Sequence, residues 1–121
     1  YTPQLILQFP NSIVHRNHEK LACVSNPTLT HSPFLGVQKV LSLTLKNKFA
    51  LQAIGLFPLQ QEDVYELMLC YALLTNKNGL VISSMLSKHH LMTNLRIVEQ
   101  PRFTAEQVTS FSQTISQAIN S

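Results

Sequence analysis

The chain has little of what disulfide scaffolds and nucleotide-binding proteins need. Its 121 residues include two cysteines, Cys23 and Cys70, which are too few for a disulfide framework, and Cys70 stands in an apolar stretch. There are three glycines and no glycine-rich run, which argues against a phosphate-binding loop. We therefore expect both thiols to be reduced core residues and no nucleotide to be bound through such a loop.

Long apolar runs and clusters of charge are also missing. No run approaches the roughly 18 apolar residues of a transmembrane helix, and no charged-then-apolar signal segment opens the chain. The net charge is +3, but the nine Lys and Arg residues are scattered, with no run of three. We therefore expect a cytoplasmic protein that neither inserts into a membrane nor binds nucleic acid.

The segment 58–76 is predicted to be the central helix. Its core stripe follows the spacing i, i+3, i+4, i+7 and i+11 and consists of Val64, Leu67, Met68, Tyr71 and Thr75. Leu69, Ala72 and Leu73 on the opposite side are apolar as well. Leaving a large apolar side chain in water forfeits roughly 1.5–3 kcal/mol. This second face therefore needs cover, from another element or from another subunit.

Two hairpins are predicted on either side of this helix. Period-2 alternation over 40–45 and 49–54, with a polar turn between them, indicates antiparallel strands. Segments 80–86 and 91–98 form the second predicted pair. Residues 21–24 are predicted to be a buried strand and 26–33 a loop, while 1–11 fits a strand and a short helix equally well.

The last helix has the strongest local signature. Thr104 and Gln107 fit a capping box, and Phe103 with Val108 fits a hydrophobic staple. Val108, Phe111 and Ile115 then form an apolar stripe. With 45% hydrophobic residues, the chain is predicted to be a single α+β domain over 1–121, in which a mainly antiparallel twisted sheet packs against helices.

A search for catalytic or metal-binding residues finds no convergent set. His15 and His18 stand at i, i+3, but neighbouring Glu19 and Cys23 do not complete a zinc spacing. Glu62 and Glu66 share a helix face, which we interpret as a solvated face. We expect no enzyme activity, no metal and no cofactor.

The order of elements resembles a known family. From Phe49 onward, the predicted strand, the helix around Glu-Leu-Met-Leu-Cys-Tyr, the segment Gly-Leu-Val-Ile-Ser-Ser-Met-Leu-Ser-Lys-His-His-Leu-Met-Thr-Asn-Leu-Arg-Ile and the helix after Phe-Thr-Ala-Glu-Gln-Val resemble type III secretion chaperones of the CesT-like class. The resemblance implies a small bacterial cytoplasmic homodimer. Such a protein holds the N-terminal segment of a secreted effector in an extended, secretion-competent state without ATP.

The resemblance also implies positions for the two kinds of contact. The homodimer interface would fall on Leu69, Ala72 and Leu73, and the effector polypeptide would meet Met85 and Met92. Methionine adapts to varied partners, and a strand edge can add an extended chain. Core packing of both methionines is the alternative.

Three hypotheses of different class follow. The first is the ATP-independent secretion chaperone. The second is a small non-enzymatic adaptor or scaffold subunit of a larger complex. The third is an enzyme whose site is assembled at a subunit boundary around His15, His18, Glu19 or Cys23.

Overall fold

A computed structural model of the chain describes residues 8–20, 29–77, 79–82 and 88–120. Within these ranges the chain is mostly helical, with three short strands. In chain order the elements are β1 (Gln8–Pro10), α1 (Asn17–Lys20), β2 (Leu29–His31), α2 (Val37–Lys46), α3 (Lys48–Ala53), α4 (Gln61–Thr75), β3 (Leu80–Ile82), α5 (Lys88–Glu99) and α6 (Ala105–Ile119).

Helix α4 is the central helix that the sequence predicts. It begins after Gln60, whose backbone N–H donates a hydrogen bond to the Asp63 carboxylate at 2.9 Å, so the first turn is capped. Val64, Leu67, Met68 and Tyr71 of the predicted core stripe are all buried. Helices α2, α5 and α6 pack around α4, so it lies at the centre of the hydrophobic core.

Helix α6 also follows its prediction. The Thr104 hydroxyl accepts a hydrogen bond from the Gln107 backbone N–H at 3.2 Å, and the Gln107 side chain accepts one from the Thr104 N–H at 2.9 Å. This reciprocal pair is the predicted capping box. Val108, Phe111 and Ile115 are buried, so the predicted stripe faces the core.

The predicted fold class is wrong. The three described strands, each three residues long, form a parallel sheet in the order β1-β2-β3, with Phe9 opposite Thr30 and Thr30 opposite Val81. They do not form a mainly antiparallel twisted sheet packed against helices. Helices supply most of the described structure.

The errors lie in the two predicted hairpins. Segment 40–45 lies in α2, 49–53 lies in α3 with Ile54 in the turn that follows, and 91–98 lies in α5; of the second hairpin only 80–82 is a described strand. Val40 and Thr44 show the reason, since both are buried one helical turn apart and the Thr44 hydroxyl donates to the Val40 carbonyl at 2.8 Å. The predicted strand 21–24 lies outside the described residues, and 29–31 of the predicted loop is β2.

Candidate functional site

The carboxyl end of a parallel sheet is where α/β proteins commonly bind ligands, and Asn11 and Ser12 lie there, fully buried. The Asn11 amide donates to the Thr75 hydroxyl at 2.9 Å, and its oxygen accepts from the His18 backbone N–H at 3.1 Å. The Ser12 hydroxyl donates to the Leu35 carbonyl at 2.9 Å. These side chains join β1 to α4 and to the following turns, so their polar atoms serve the fold.

The histidines suggested for an enzyme site do not converge with acidic groups. His15 is exposed, and the His18 ring lies 6.0 Å from the Phe9 ring. Glu19 forms an ion pair with Arg16 at 2.6 Å. Among the described residues, no three His, Cys, Asp or Glu side chains are placed to hold a metal ion, and Cys23 lies outside those residues.

The Arg16 and Tyr71 side chains form a second polar contact with α4. The Arg16 Nε donates to the Tyr71 hydroxyl at 3.1 Å, and the guanidinium carbon lies 5.6 Å from the ring centroid. Burial raises the pKa of Tyr71 to about 12, although the hydrogen bond from Arg16 acts in the opposite direction. Tyr71 therefore stays neutral near pH 7 and ties the segment before α1 to the central helix.

Cys70 lies on the buried part of α4. Burial raises the pKa of its thiol to about 11, and the charge of Glu66 adds to the increase. A nucleophilic cysteine needs the opposite, a lowered pKa in an open electropositive site. Cys70 is therefore a core thiol in this structure.

The second face of α4, predicted to be a dimer interface, is covered mainly from within the chain. Leu69 is 3% exposed and Ala72 is 0% exposed, while Leu73 is partly buried against the core. The cover that the sequence requires is therefore supplied largely by other elements of the same chain. Burial at these three positions gives no argument for a second subunit, and the homodimer stays a prediction.

The strongest candidate surface is the outer face of α5, which consists of Met92, Leu95 and Val98. These side chains are 56%, 44% and 58% exposed, although all three are large and apolar. They recur every third residue and so lie along one side of the helix. Ile97, which is 3% exposed, marks the opposite side, which faces the core. Met85, the other predicted contact, lies outside the described residues.

Helix α5 is held in place by a buried carboxylate. Glu66 of α4 is fully buried, and its Oε1 lies 2.6 Å from Nη2 of Arg96 on α5. The backbone N–H of Arg102 donates to Oε2 of Glu66 at 2.6 Å, and the Nε of the Arg102 side chain donates to Oε1 of Glu66 at 2.9 Å. Burial alone would raise the pKa of Glu66, but the hydrogen bonds from Arg96 and Arg102 outweigh it and lower the pKa below 4.5.

This geometry revises two interpretations of the sequence. Glu66, expected on a solvated face, is the anchor between α4 and α5. Leu95, within the segment 91–98 predicted to be a strand, is exposed on helix α5, where Met92, Leu95 and Val98 follow one another at a spacing of three residues. That spacing of three was the signal in the sequence that could have identified the surface.

Comparisons with known proteins identify no relative that carries a similar surface. The chain matches no family model, no curated protein and no solved structure. Across the described ranges, none of the helices combines the length and apolar character needed to cross a bilayer.

Proposed function

We propose that this chain is a non-enzymatic protein-binding module, an adaptor or subunit that inserts the outer face of α5 into an apolar groove of a partner protein. The observation that carries the proposal is the exposure of Met92, Leu95 and Val98 along one side of a helix. Recognition of a helix in a groove uses anchors of this kind, spaced by about one turn.

The free energy gained on binding depends on the apolar area that becomes buried and on the rigidity of α5. Fully burying such a side chain is worth about 1.5–3 kcal/mol, so three that are each about half exposed leave roughly 3 kcal/mol to be gained. The ion pairs of Arg96 and Arg102 with Glu66 fix α5 before binding. A preformed helix loses less conformational freedom on association, so more of this gain is retained as affinity.

The secretion chaperone is a narrower form of the same proposal, with a secreted effector polypeptide as the partner. The resemblance that implied it depends on strands at 49–54 and 91–98, but 49–53 belongs to α3 and 91–98 to α5. Backbone N–H groups inside a helix are already bonded within it, so 91–98 cannot add an extended client by strand pairing. The adaptor is therefore the better supported of the two functions.

The proposal can be tested by crosslinking at a defined position. A photocrosslinking amino acid in place of Leu95 should give a discrete adduct with one partner in the native host, and the same amino acid in place of Leu35 should not. The partner identified in this way is then purified and titrated. Leu95→Asp should weaken its binding by about tenfold or more, since a charge enters an apolar groove.

Leu35→Asp is the matched control, because Leu35 is 41% exposed, close to the 44% of Leu95, and lies outside α5. Binding of the purified partner that withstands both Leu95→Asp and Met92→Asp would refute the proposed surface. Turnover of a small substrate by the purified chain would refute the non-enzymatic function.

A further inference from the structure

A second surface lies around α3, and the segment of the chain that forms it carries charge of one sign. From Lys20 to Gln61 the sequence contains no aspartate or glutamate, while it contains four lysines. Lys39, Lys46 and Lys48 of this stretch are exposed in the structure. The stretch therefore carries positive charge that no acidic residue within it compensates.

Large apolar side chains are exposed in the same place. Phe49 is 88% exposed and Leu45 is 66% exposed, and Ile54 and Phe57 are also exposed, at 39% and 40%. We call residues 45–58 the α3 tip. Within α3 itself only Leu51 is buried, so most of this short helix projects from the body of the protein.

The backbone of the α3 tip is folded and hydrogen-bonded, so local unfolding does not explain why its apolar side chains are exposed. After α3, the backbone N–H groups of Ile54 and Leu56 both donate to the Leu51 carbonyl, at 3.3 and 2.8 Å, and that of Gly55 donates to the Gln52 carbonyl at 3.1 Å. Leu51 and Leu56 are buried and fasten the tip to the core. The tip is therefore a formed structure that holds apolar side chains in water.

We infer that the α3 tip binds the surface of an anionic membrane. Phe49 and Leu45 would enter the interfacial layer, and Lys46 and Lys48 would reach the phosphate groups beside them. Lysine suits this boundary because its stem is apolar while its ammonium group stays among the headgroups. Peripheral binding of this kind needs only surface contact, so it does not require a spanning helix, and none is found in the part of the chain that the structure describes.

Charge and shape favour a lipid surface over other occupants. A second copy of the chain joined tip to tip would bring Lys46 and Lys48 against their own counterparts. A protein partner would have to supply both a pocket for the protruding Phe49 and acids for the two lysines. An anionic bilayer offers negative charge and an apolar interior together, at the same depths as the two kinds of side chain.

The chain offers an unusually clean probe, because it has no tryptophan. Phe49→Trp places the chain's single tryptophan at the tip, where it can be excited selectively, and Phe49 is exposed enough that the change removes no core packing. Adding vesicles of phosphatidylcholine with phosphatidylserine should shift its emission to shorter wavelength. Vesicles of phosphatidylcholine alone should give a smaller shift, and added salt should reduce the shift. Leu95→Trp, which puts the fluorophore on α5, should show no shift.

Vesicle sedimentation measures how much each side chain of the tip contributes to vesicle binding. Phe49→Ser should weaken binding to the anionic vesicles by about tenfold. Lys46→Gln and Lys48→Gln should each weaken it by about fivefold. Lys77→Gln is the control for charge alone, because Lys77 is exposed and lies outside the tip, at the end of α4; it should have a smaller effect than either tip lysine.

Three outcomes would overturn the inference. The first is no shift of Phe49→Trp emission with anionic vesicles, and the second is vesicle binding that Phe49→Ser leaves unchanged. The third is a shift that depends on protein concentration without vesicles, which would assign the tip to self-association. Phe49→Ser should leave crosslinking at Leu95 intact, so the result here is independent of the function proposed for α5.

Discussion

The carboxylate of Glu66 and the guanidinium of Arg96 lie 2.6 Å apart, and the Glu66 side chain is fully buried. Arg102 binds the same carboxylate through its backbone N–H and its Nε. Three donors on α5 and on the connection to α6 therefore converge on one acceptor of α4. This contact sets the position of α5, and with it the orientation of Met92, Leu95 and Val98.

Glu66→Gln should destabilise the protein by about 3 kcal/mol, since removing one partner of a buried ion pair costs about 3–5 kcal/mol and both arginines remain partly exposed here. Chemical denaturation measures the change. Glu62→Gln, one turn earlier and exposed, should change stability by less than about 0.5 kcal/mol. Equal effects of the two substitutions would mean that Glu66 is not the anchor.

The same carboxylate makes stability depend on pH. Its folded-state pKa lies below the ordinary value of 4.5, so the folded protein releases this proton more readily than the unfolded chain does. The stabilisation is complete above pH 4.5 and is lost as the pH falls through the lower folded-state value. The difference in unfolding free energy between wild type and Glu66→Gln should therefore shrink below pH 4.5. A difference that stays constant across this range would contradict the ion pairs.

The sequence predicts an element correctly where its pattern of apolar residues fits only one type of secondary structure. Helices α4 and α6 have caps and a stripe that fits only the helical period, and both were placed correctly. In α2, residues 40–45 alternate as a strand does, while Val40 and Thr44 also stand one helical turn apart. Because both periods fit, packing against α4 and α6 decides between them, and such long-range contacts leave no local trace in the sequence.

The candidate site was missed for a related reason. Arg96 and Arg102 lie 30 and 36 residues from Glu66 along the chain, so nothing near Glu66 indicates that it is paired. An isolated glutamate on a helix is ordinarily solvated. Met92 is exposed, as a partner contact would require, but its role as a contact stays a prediction, and the strand assignment hid its alignment with Leu95 and Val98.

Two substitutions, one at the cap and one on the buried face of α6, should lower the free energy of unfolding by different amounts. Thr104→Ala removes the cap and should cost about 0.5–2 kcal/mol. Phe111→Ala leaves a cavity at a fully buried position and should cost about 3–5 kcal/mol. Chemical denaturation of the two variants side by side gives the ranking. Equal costs would mean that Phe111 is not packed in the core.

Leu69→Ala tests whether Leu69 is covered by its own chain or by a second subunit. Leu69 is 3% exposed in the single chain, so its truncation should cost about 2–5 kcal/mol. If the chain itself supplies this cover, the unfolding midpoints of wild type and variant should not depend on protein concentration. If the predicted homodimer supplies it, both midpoints should rise with concentration, because association is linked to folding. Light scattering across the same concentrations is the independent check on subunit number.

Cys70 should be protected from thiol reagents while the protein is folded. In a Cys23→Ser background Cys70 is the remaining thiol, and burial, followed by the charge of Glu66, raises its pKa to about 11. At pH 8 only about one such thiol in a thousand is ionised, and the thiolate is the reactive form. Labelling by an aromatic disulfide reagent should therefore be slow under native conditions and should become fast in urea. Rapid labelling of the folded protein at pH 8, at a rate similar to that in urea, would contradict burial of Cys70.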